Sequence, residues 1–165
     1  MLKFLSGLAV FAIACLLQFS FMPAGNTVNF VFATLVAFSF IFPARGGLAS
    51  SRFARGEAPV DGNEGFLELF FFILAGVFLM NWIPAPTIAL TAFAVLPVLA
   101  YFFGSTLPLE PLTRFIISLF LGFVILYFVT APQLIIVAAP PFLMDLFAGS
   151  VFGFLVFLCM DRAFQ

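Results

Sequence analysis

Charged residues are scarce in this sequence, and histidine is absent. Only 8% of the 165 residues are charged, and the formal net charge is -1. A soluble domain has about a quarter of its residues charged, so the composition excludes an ordinary water-soluble fold. Without histidine no Ser-His-Asp triad can form, and the small net charge gives no reason to expect nucleic-acid binding. The two cysteines, Cys15 and Cys159, lie in apolar runs and provide neither a disulfide framework nor a metal site.

Most of the sequence consists of long apolar runs. The chain is 65% hydrophobic, with 28 phenylalanines and a mean hydropathy of +1.29. A window of about 19 residues divides it into six apolar segments of about 17–20 residues, each long enough to cross a bilayer as a helix. The segments are residues 4–22, 27–43, 66–82, 87–103, 112–131 and 141–160. The sequence therefore predicts an all-α, polytopic membrane protein, in which residues 1–165 form one compact bundle of about six transmembrane helices. Residues 132–140 either extend the fifth helix or lie at the membrane interface.

The positions of the basic residues predict the orientation of this bundle. In a six-span arrangement every lysine and arginine falls on the same side, and the other three loops contain none. Cytoplasmic loops carry the excess of basic residues, so both termini and the hydrophilic loop 44–64 are predicted to be cytoplasmic. The basic residues are Lys3, Arg45, Arg52, Arg55, Arg114 and Arg162.

Acidic residues in or near the spans are the first candidates for chemistry. The topology places Glu68 at the cytoplasmic face and Asp145 near the outer face, too far apart to share an acid–base site. No glycine-rich phosphate loop or metal-ligand spacing accompanies them, so the sequence predicts a protein that is not an enzyme and that holds no cofactor or metal. Glu68 either pairs with Arg45 or Arg114 to hold a cytoplasmic docking surface, or is a solvated interfacial acid, which is the favoured interpretation.

Asp145 belongs to a helix face that also carries two glycines. Asp145, Gly149 and Gly153 are spaced by four residues, so they share one face, and the small-xxx-small pattern allows close helix packing. Asp145 is therefore expected to face protein, and one interpretation is that it contacts a ligand or partner at the outer surface. The favoured alternative is that it lies in the first helical turn, complements the helix dipole and touches headgroup water.

Two amide side chains, Gln18 and Asn29, interrupt the first two apolar runs. Because the break between these runs is short, the two helices are predicted to be antiparallel neighbours whose amides meet near the outer surface. A hydrogen bond between the amides would join the helices and is favoured over substrate binding. Trp82 and Tyr127 are typical of the aromatic belts at membrane interfaces.

The opening of the chain resembles the rod-shape-determining membrane protein family MreD. The resemblance consists of Leu17-Gln18 at the end of an apolar helix, a short turn containing Pro23, and Val28-Asn29 leading into a second apolar helix. The size of the chain and a final apolar helix that ends in Asp161-Arg162 are also similar to that family. The third span departs from it, with Asn81 where the family has an acid, and loop 44–64 is longer and more charged.

The resemblance implies a non-catalytic subunit of the bacterial cell-elongation machinery in the plasma membrane. Such a subunit associates with the bitopic protein MreC and helps to couple cytoplasmic MreB filaments to cell-wall synthesis. In this sequence a partner would have to pack against the spans or against the charged loop 44–64, because the other loops are short.

A second hypothesis belongs to a different functional class. Vitamin-binding S-components of energy-coupling-factor transporters are also compact six-span bundles, and they need polar side chains that converge on an outer pocket. Four such candidates lie near the outer face in the predicted topology, namely Gln18, Asn29, Asn81 and Asp145. The small number of polar groups counts against this hypothesis, since a tight vitamin site uses several hydrogen-bonding residues.

Overall fold

The computed structural model is all-helical over the residues that it describes, which are 2–21, 29–42, 63–80, 87–106, 109–130 and 139–163. This part of the chain contains six helices, close in position to the six predicted segments, so the all-α class is confirmed. They are α1 (Leu2–Phe21), α2 (Phe30–Ile41), α3 (Asn63–Met80), α4 (Thr87–Thr106), α5 (Pro111–Thr130) and α6 (Ala139–Ala163). Most of loop 44–64 and of segment 132–140 lies outside the described residues.

Three of the helices are long and apolar enough to cross a membrane. The qualifying stretches are Lys3–Ser20 in α1, Leu112–Thr130 in α5 and Phe142–Met160 in α6. The other three helices carry shorter apolar stretches, of which Phe30–Ile41 in α2 is the shortest. The length and composition of these helices indicate a membrane protein.

Helix α2 forms the centre of the bundle. It has 12 residues, and all of them except Phe40 are buried. The other five helices pack around it. At a rise of 1.5 Å per residue α2 is about 18 Å long, well short of the hydrocarbon core of a bilayer, which is about 30 Å thick. Because nearly all of its residues are buried, α2 is surrounded by protein on nearly every side.

Two hydroxyl-bearing residues of α2 are buried without needing partners from other helices. The Thr34 hydroxyl donates to the Phe30 carbonyl at 2.8 Å, and the Ser39 hydroxyl donates to the Val36 carbonyl at 2.7 Å. These bonds to the preceding turn satisfy the hydroxyls locally, which is how serine and threonine are accommodated in apolar helices.

Phenylalanine rings fill the space between α2 and its neighbours. The Phe32 ring meets the Phe123 ring of α5 edge to face at 5.2 Å, and Phe38 meets Phe72 of α3 at 4.8 Å. All four side chains are fully buried. Aromatic pairs prefer such tilted arrangements, so the many phenylalanines provide a specific core as well as apolar bulk.

Large apolar side chains also cover the outside of the bundle. Among the most exposed are Leu16 of α1, Phe78 of α3, Phe128 of α5 and Phe147 of α6, all at least 65% exposed. Soluble monomers rarely expose apolar patches on this scale. The outer faces of these helices are therefore suited to lipid or to the apolar surface of another protein.

Candidate functional site

The start of α2 needs hydrogen-bond partners from outside that helix. The first backbone N–H groups of a helix have no acceptor within it, and an unsatisfied N–H is costly in an apolar bundle. Asn29 occupies the N-cap position, but its side chain makes no capping hydrogen bond to the first turn. The first helical backbone bond that involves Asn29 runs from the Ala33 N–H to its carbonyl, at 3.1 Å.

Asp145 of α6 supplies an acceptor for one of these backbone N–H groups and another for the Asn29 side chain. One carboxylate oxygen, Oδ1, accepts the backbone N–H of Asn29 at 2.6 Å, and the other, Oδ2, accepts the side-chain amide Nδ2–H of Asn29 at 2.7 Å. Asp145 is only 1% exposed. A carboxylate here also meets the positive end of the α2 dipole, so a residue 116 positions away acts as the cap of α2.

Tyr127 of α5 is the third residue bound to this carboxylate. Its hydroxyl donates to Asp145 Oδ2, and its ring packs edge to face against Phe142 of α6 at 5.0 Å. Tyr127 is buried. Asp145 thus joins α2, α5 and α6 at one point, near the end of the bundle where α2 begins.

Gln18 of α1 completes what we call the polar cluster, which consists of Gln18, Asn29, Tyr127 and Asp145. The Gln18 carbonyl oxygen, Oε1, accepts the backbone N–H of Val31 at 3.4 Å, a long and therefore weak hydrogen bond. Gln18 is 3% exposed. Side chains from α1 and α6 thus accept backbone N–H groups at the start of α2, from Val31 and Asn29 respectively.

The polar cluster lies at the end of the bundle that is poor in charge. Helices α1 and α5 end near the cluster, and α2 and α6 begin near it. The stretches of sequence between these pairs of helices, residues 22–28 and 131–138, include no acidic or basic residue. The three hydrogen bonds to Asp145 and the dipole of α2 offset part of the cost of burying this carboxyl group.

Two glycines allow α6 to approach α2 and α5 closely on the face that carries Asp145. A Cβ atom on Gly149 would lie 2.4 Å from the end of the Phe123 ring, and one on Gly153 would lie 3.3 Å from both the Cβ and the carbonyl oxygen of Ala33. Both glycines and Asp145 thus lie against α2 or α5. A larger residue at Gly149 would require the Phe123 ring to shift.

Three predictions about the polar residues need correction. The favoured interpretation of Asp145, contact with headgroup water, is wrong because the side chain is buried and hydrogen-bonded. Tyr127 is buried too and donates to Asp145, so it is not a residue of an interfacial belt. The amides of Gln18 and Asn29 have partners other than each other: the Asn29 amide donates to Asp145, and the Gln18 carbonyl accepts from Val31.

The remaining candidates lie elsewhere or outside the described residues. Glu68 is half-buried on α3, and the Arg114 side chain, one of its two predicted partners, donates to the Leu109 carbonyl. Asn81 and Arg45 lie outside the described residues, so their roles stay predictions. The sequence offered one signal for Tyr127: it falls near the outer end of the fifth span, at a depth similar to that of Asp145 in the sixth.

Ser118 of α5 provides a test of what a buried hydroxyl without a hydrogen bond costs in the core. It is 7% exposed, and its hydroxyl is the one buried side-chain polar atom without a hydrogen bond in the described part of the chain. We expect Ser118→Ala to raise the free energy of unfolding by about 1 kcal/mol, because it removes an unsatisfied hydroxyl. Thermal unfolding in a mild detergent measures this. Ser39→Ala is the matched control, since it removes a bonded hydroxyl and should not stabilise; destabilisation by Ser118→Ala would contradict the prediction.

No match to a family model, to a curated protein or to a solved structure was found for this chain.

Proposed function

We propose that this chain is a non-catalytic, MreD-like subunit of the cell-elongation machinery in the bacterial plasma membrane. In this proposal it crosses the membrane six times, with both termini in the cytoplasm. The observation that carries the proposal is the polar cluster. Its hydrogen bonds hold helices of the bundle to one another, while the outer faces of the helices are apolar. A bundle that is joined internally by hydrogen bonds and is apolar on its outside suits a scaffold that binds another membrane protein.

The six-span arrangement is supported by the separation of the polar cluster and the basic residues toward opposite ends of the bundle. Asn29, Tyr127 and Asp145 meet at one end of the bundle, whereas Lys3 and Arg114 lie near the starts of α1 and α5, toward the other end. Alternating crossings and the positive-inside rule assign the cluster to the outer side and the basic residues to the cytoplasm.

A scaffolding role is supported by what the cluster does with its polar atoms. Both Asp145 oxygens accept hydrogen bonds from Asn29 or Tyr127. A carboxylate whose acceptors are occupied by its own helices stabilises a fixed packing of those helices. A partner then binds through the apolar faces, lipids cover the rest, and an MreC-like bitopic protein is the partner that the proposal names.

Co-purification tests this proposal. The chain, carrying an affinity tag, is co-expressed with an MreC-like protein from the same genome and extracted in a mild detergent. We expect the two to elute together in a fixed ratio, and an unrelated tagged six-span protein, as control, to retain none of the MreC-like protein. Elution of the chain alone, as a folded monomer, would contradict the proposal.

Vitamin binding by an S-component-like subunit is the second candidate function. The observation that favours it is the convergence of Gln18, Asn29 and Asp145, three of the four predicted outer polar residues, at one end of the bundle. This function requires that a water-soluble vitamin raise the unfolding temperature of the purified chain. Gln18→Ala should abolish that effect. A vitamin panel that leaves the unfolding temperature unchanged would eliminate it without affecting the first proposal.

A further inference from the structure

Helix α2 is held in place by α6, which is synthesised after the four other helices that pack around α2. Asn29 donates both its backbone N–H and its side-chain amide to Asp145. Asp145 follows Asn29 by 116 positions, so these two bonds cannot form until α6 has been synthesised. Before then, the start of α2 lacks the carboxylate that caps it.

The apolar contacts of α2 depend on α6 as well. Gly153 brings the α6 backbone against Ala33, and the Phe152 ring meets the Phe30 ring edge to face at 5.2 Å. Phe30 and Ala33 are 7% and 0% exposed in the finished bundle. Without α6 this side of α2 would be uncovered over its first turn.

The dimensions of α2 make it a poor span by itself. Its helix is about 18 Å long, and a bilayer core is about 30 Å thick. A short helix that lacks the carboxylate acceptor at its start is more stable with that start at the water interface than buried in hydrocarbon.

We propose that α2 reaches its enclosed position only when α6 docks, and that the first turns of α2 face outer water until then. The docking of α6 is thus a conformational step that closes the outer end of the bundle. This inference rests on the proposed six-span arrangement and is independent of the proposed MreC-like partner.

Cysteine accessibility in the full-length chain tests the inference. In a background with Cys15→Ala and Cys159→Ala, Thr34→Cys introduces a near-isosteric thiol that is fully buried in the finished bundle. Pulse-labelled cells are treated with a membrane-impermeant maleimide at increasing times after synthesis. We expect early labelling that falls by about tenfold as α6 docks, which corresponds to a shift between open and closed populations.

Two variants distinguish α6 docking from other causes of protection. Asp145→Ala removes the cap, and Gly153→Leu blocks the close approach to Ala33; with either we expect the Thr34→Cys thiol to stay reactive at late times. Phe147→Ala, on the exposed face of α6, is the matched control and should behave like the parent. Protection of the thiol at the earliest time would overturn the inference. So would late protection in both α6 variants that equals the protection in the parent.

A second reporter cysteine distinguishes a wrong topology from a wrong docking step. Gly25→Cys, in the short segment between α1 and α2, should react with the maleimide from outside at all times if that segment is external. If it does not react, the six-span orientation is wrong and the inference falls with it. If it reacts while the Thr34→Cys thiol is never accessible, only the docking step is wrong.

Discussion

Asp145→Ala is expected to cause the largest loss of stability of any single substitution in the polar cluster. It leaves the Asn29 backbone N–H, the Asn29 amide and the Tyr127 hydroxyl without their shared acceptor. Each hydrogen bond between transmembrane helices contributes about 1 kcal/mol, so we expect the free energy of unfolding to fall by about 3 kcal/mol. Titration with a denaturing detergent, followed by circular dichroism, measures this change.

Graded substitutions show whether the hydrogen bonds are the cause. Asp145→Asn keeps the size of the side chain and one acceptor oxygen, so it should retain part of the stability. Tyr127→Phe removes a single donor and should cost about 1 kcal/mol. Leu143→Ala, on the exposed face of α6, should cost less than either. If Asp145→Ala is no worse than Leu143→Ala, the cluster does not hold the bundle together.

The sequence predicted the helices well because their signal is local. Each helix coincides with a long apolar run, and proline or glycine lies between most of the runs. The face of α6 that packs inward was also predictable, since Asp145, Gly149 and Gly153 recur every four residues. Such patterns depend on neighbours within one helix and can be read without knowing the fold.

Hydrogen-bond partners were harder to predict because they depend on how helices are placed around α2. The sequence has Gln18 in the first apolar run and Asn29 at the start of the second, and proximity along the chain favoured a bond between them. The structure places α6 beside the start of α2, so that a carboxylate is available to Asn29. A carboxylate is the stronger acceptor, and it takes the place that the Gln18 amide was expected to fill.

Burial of a polar residue was the other property that local patterns did not determine. A tyrosine and an aspartate near the ends of spans are usually interfacial, because the cost of burying them is avoided there. In this bundle each satisfies the other, together with Asn29. The cost of burial is then offset by hydrogen bonds that only the assembled helices provide. Correct interpretation of Tyr127 therefore required knowing that α5, α6 and α2 meet.

Gly149→Val is expected to have the second large effect, through packing alone. A Cβ at this position would already lie 2.4 Å from the Phe123 ring, and valine adds two methyl groups. Phe123 is fully buried and meets Phe32 edge to face at 5.2 Å, so its ring cannot move without displacing the centre of the bundle. Overpacking of this kind costs about 1–3 kcal/mol, and we expect a value near the upper end in a detergent unfolding titration.

A matched control and a rescue assign the effect of Gly149→Val to the Phe123 ring. Phe147→Val puts the same side chain two residues earlier, at a position that is 74% exposed, and should change the free energy of unfolding by about 0.5 kcal/mol or less. Phe123→Leu shortens the ring that Gly149 faces, so the double variant should be more stable than the sum of the two single changes implies. If the two changes are additive, α6 can move away from α5 without cost. The close approach at Gly149 would then be dispensable for holding Asp145 against Asn29 and Tyr127.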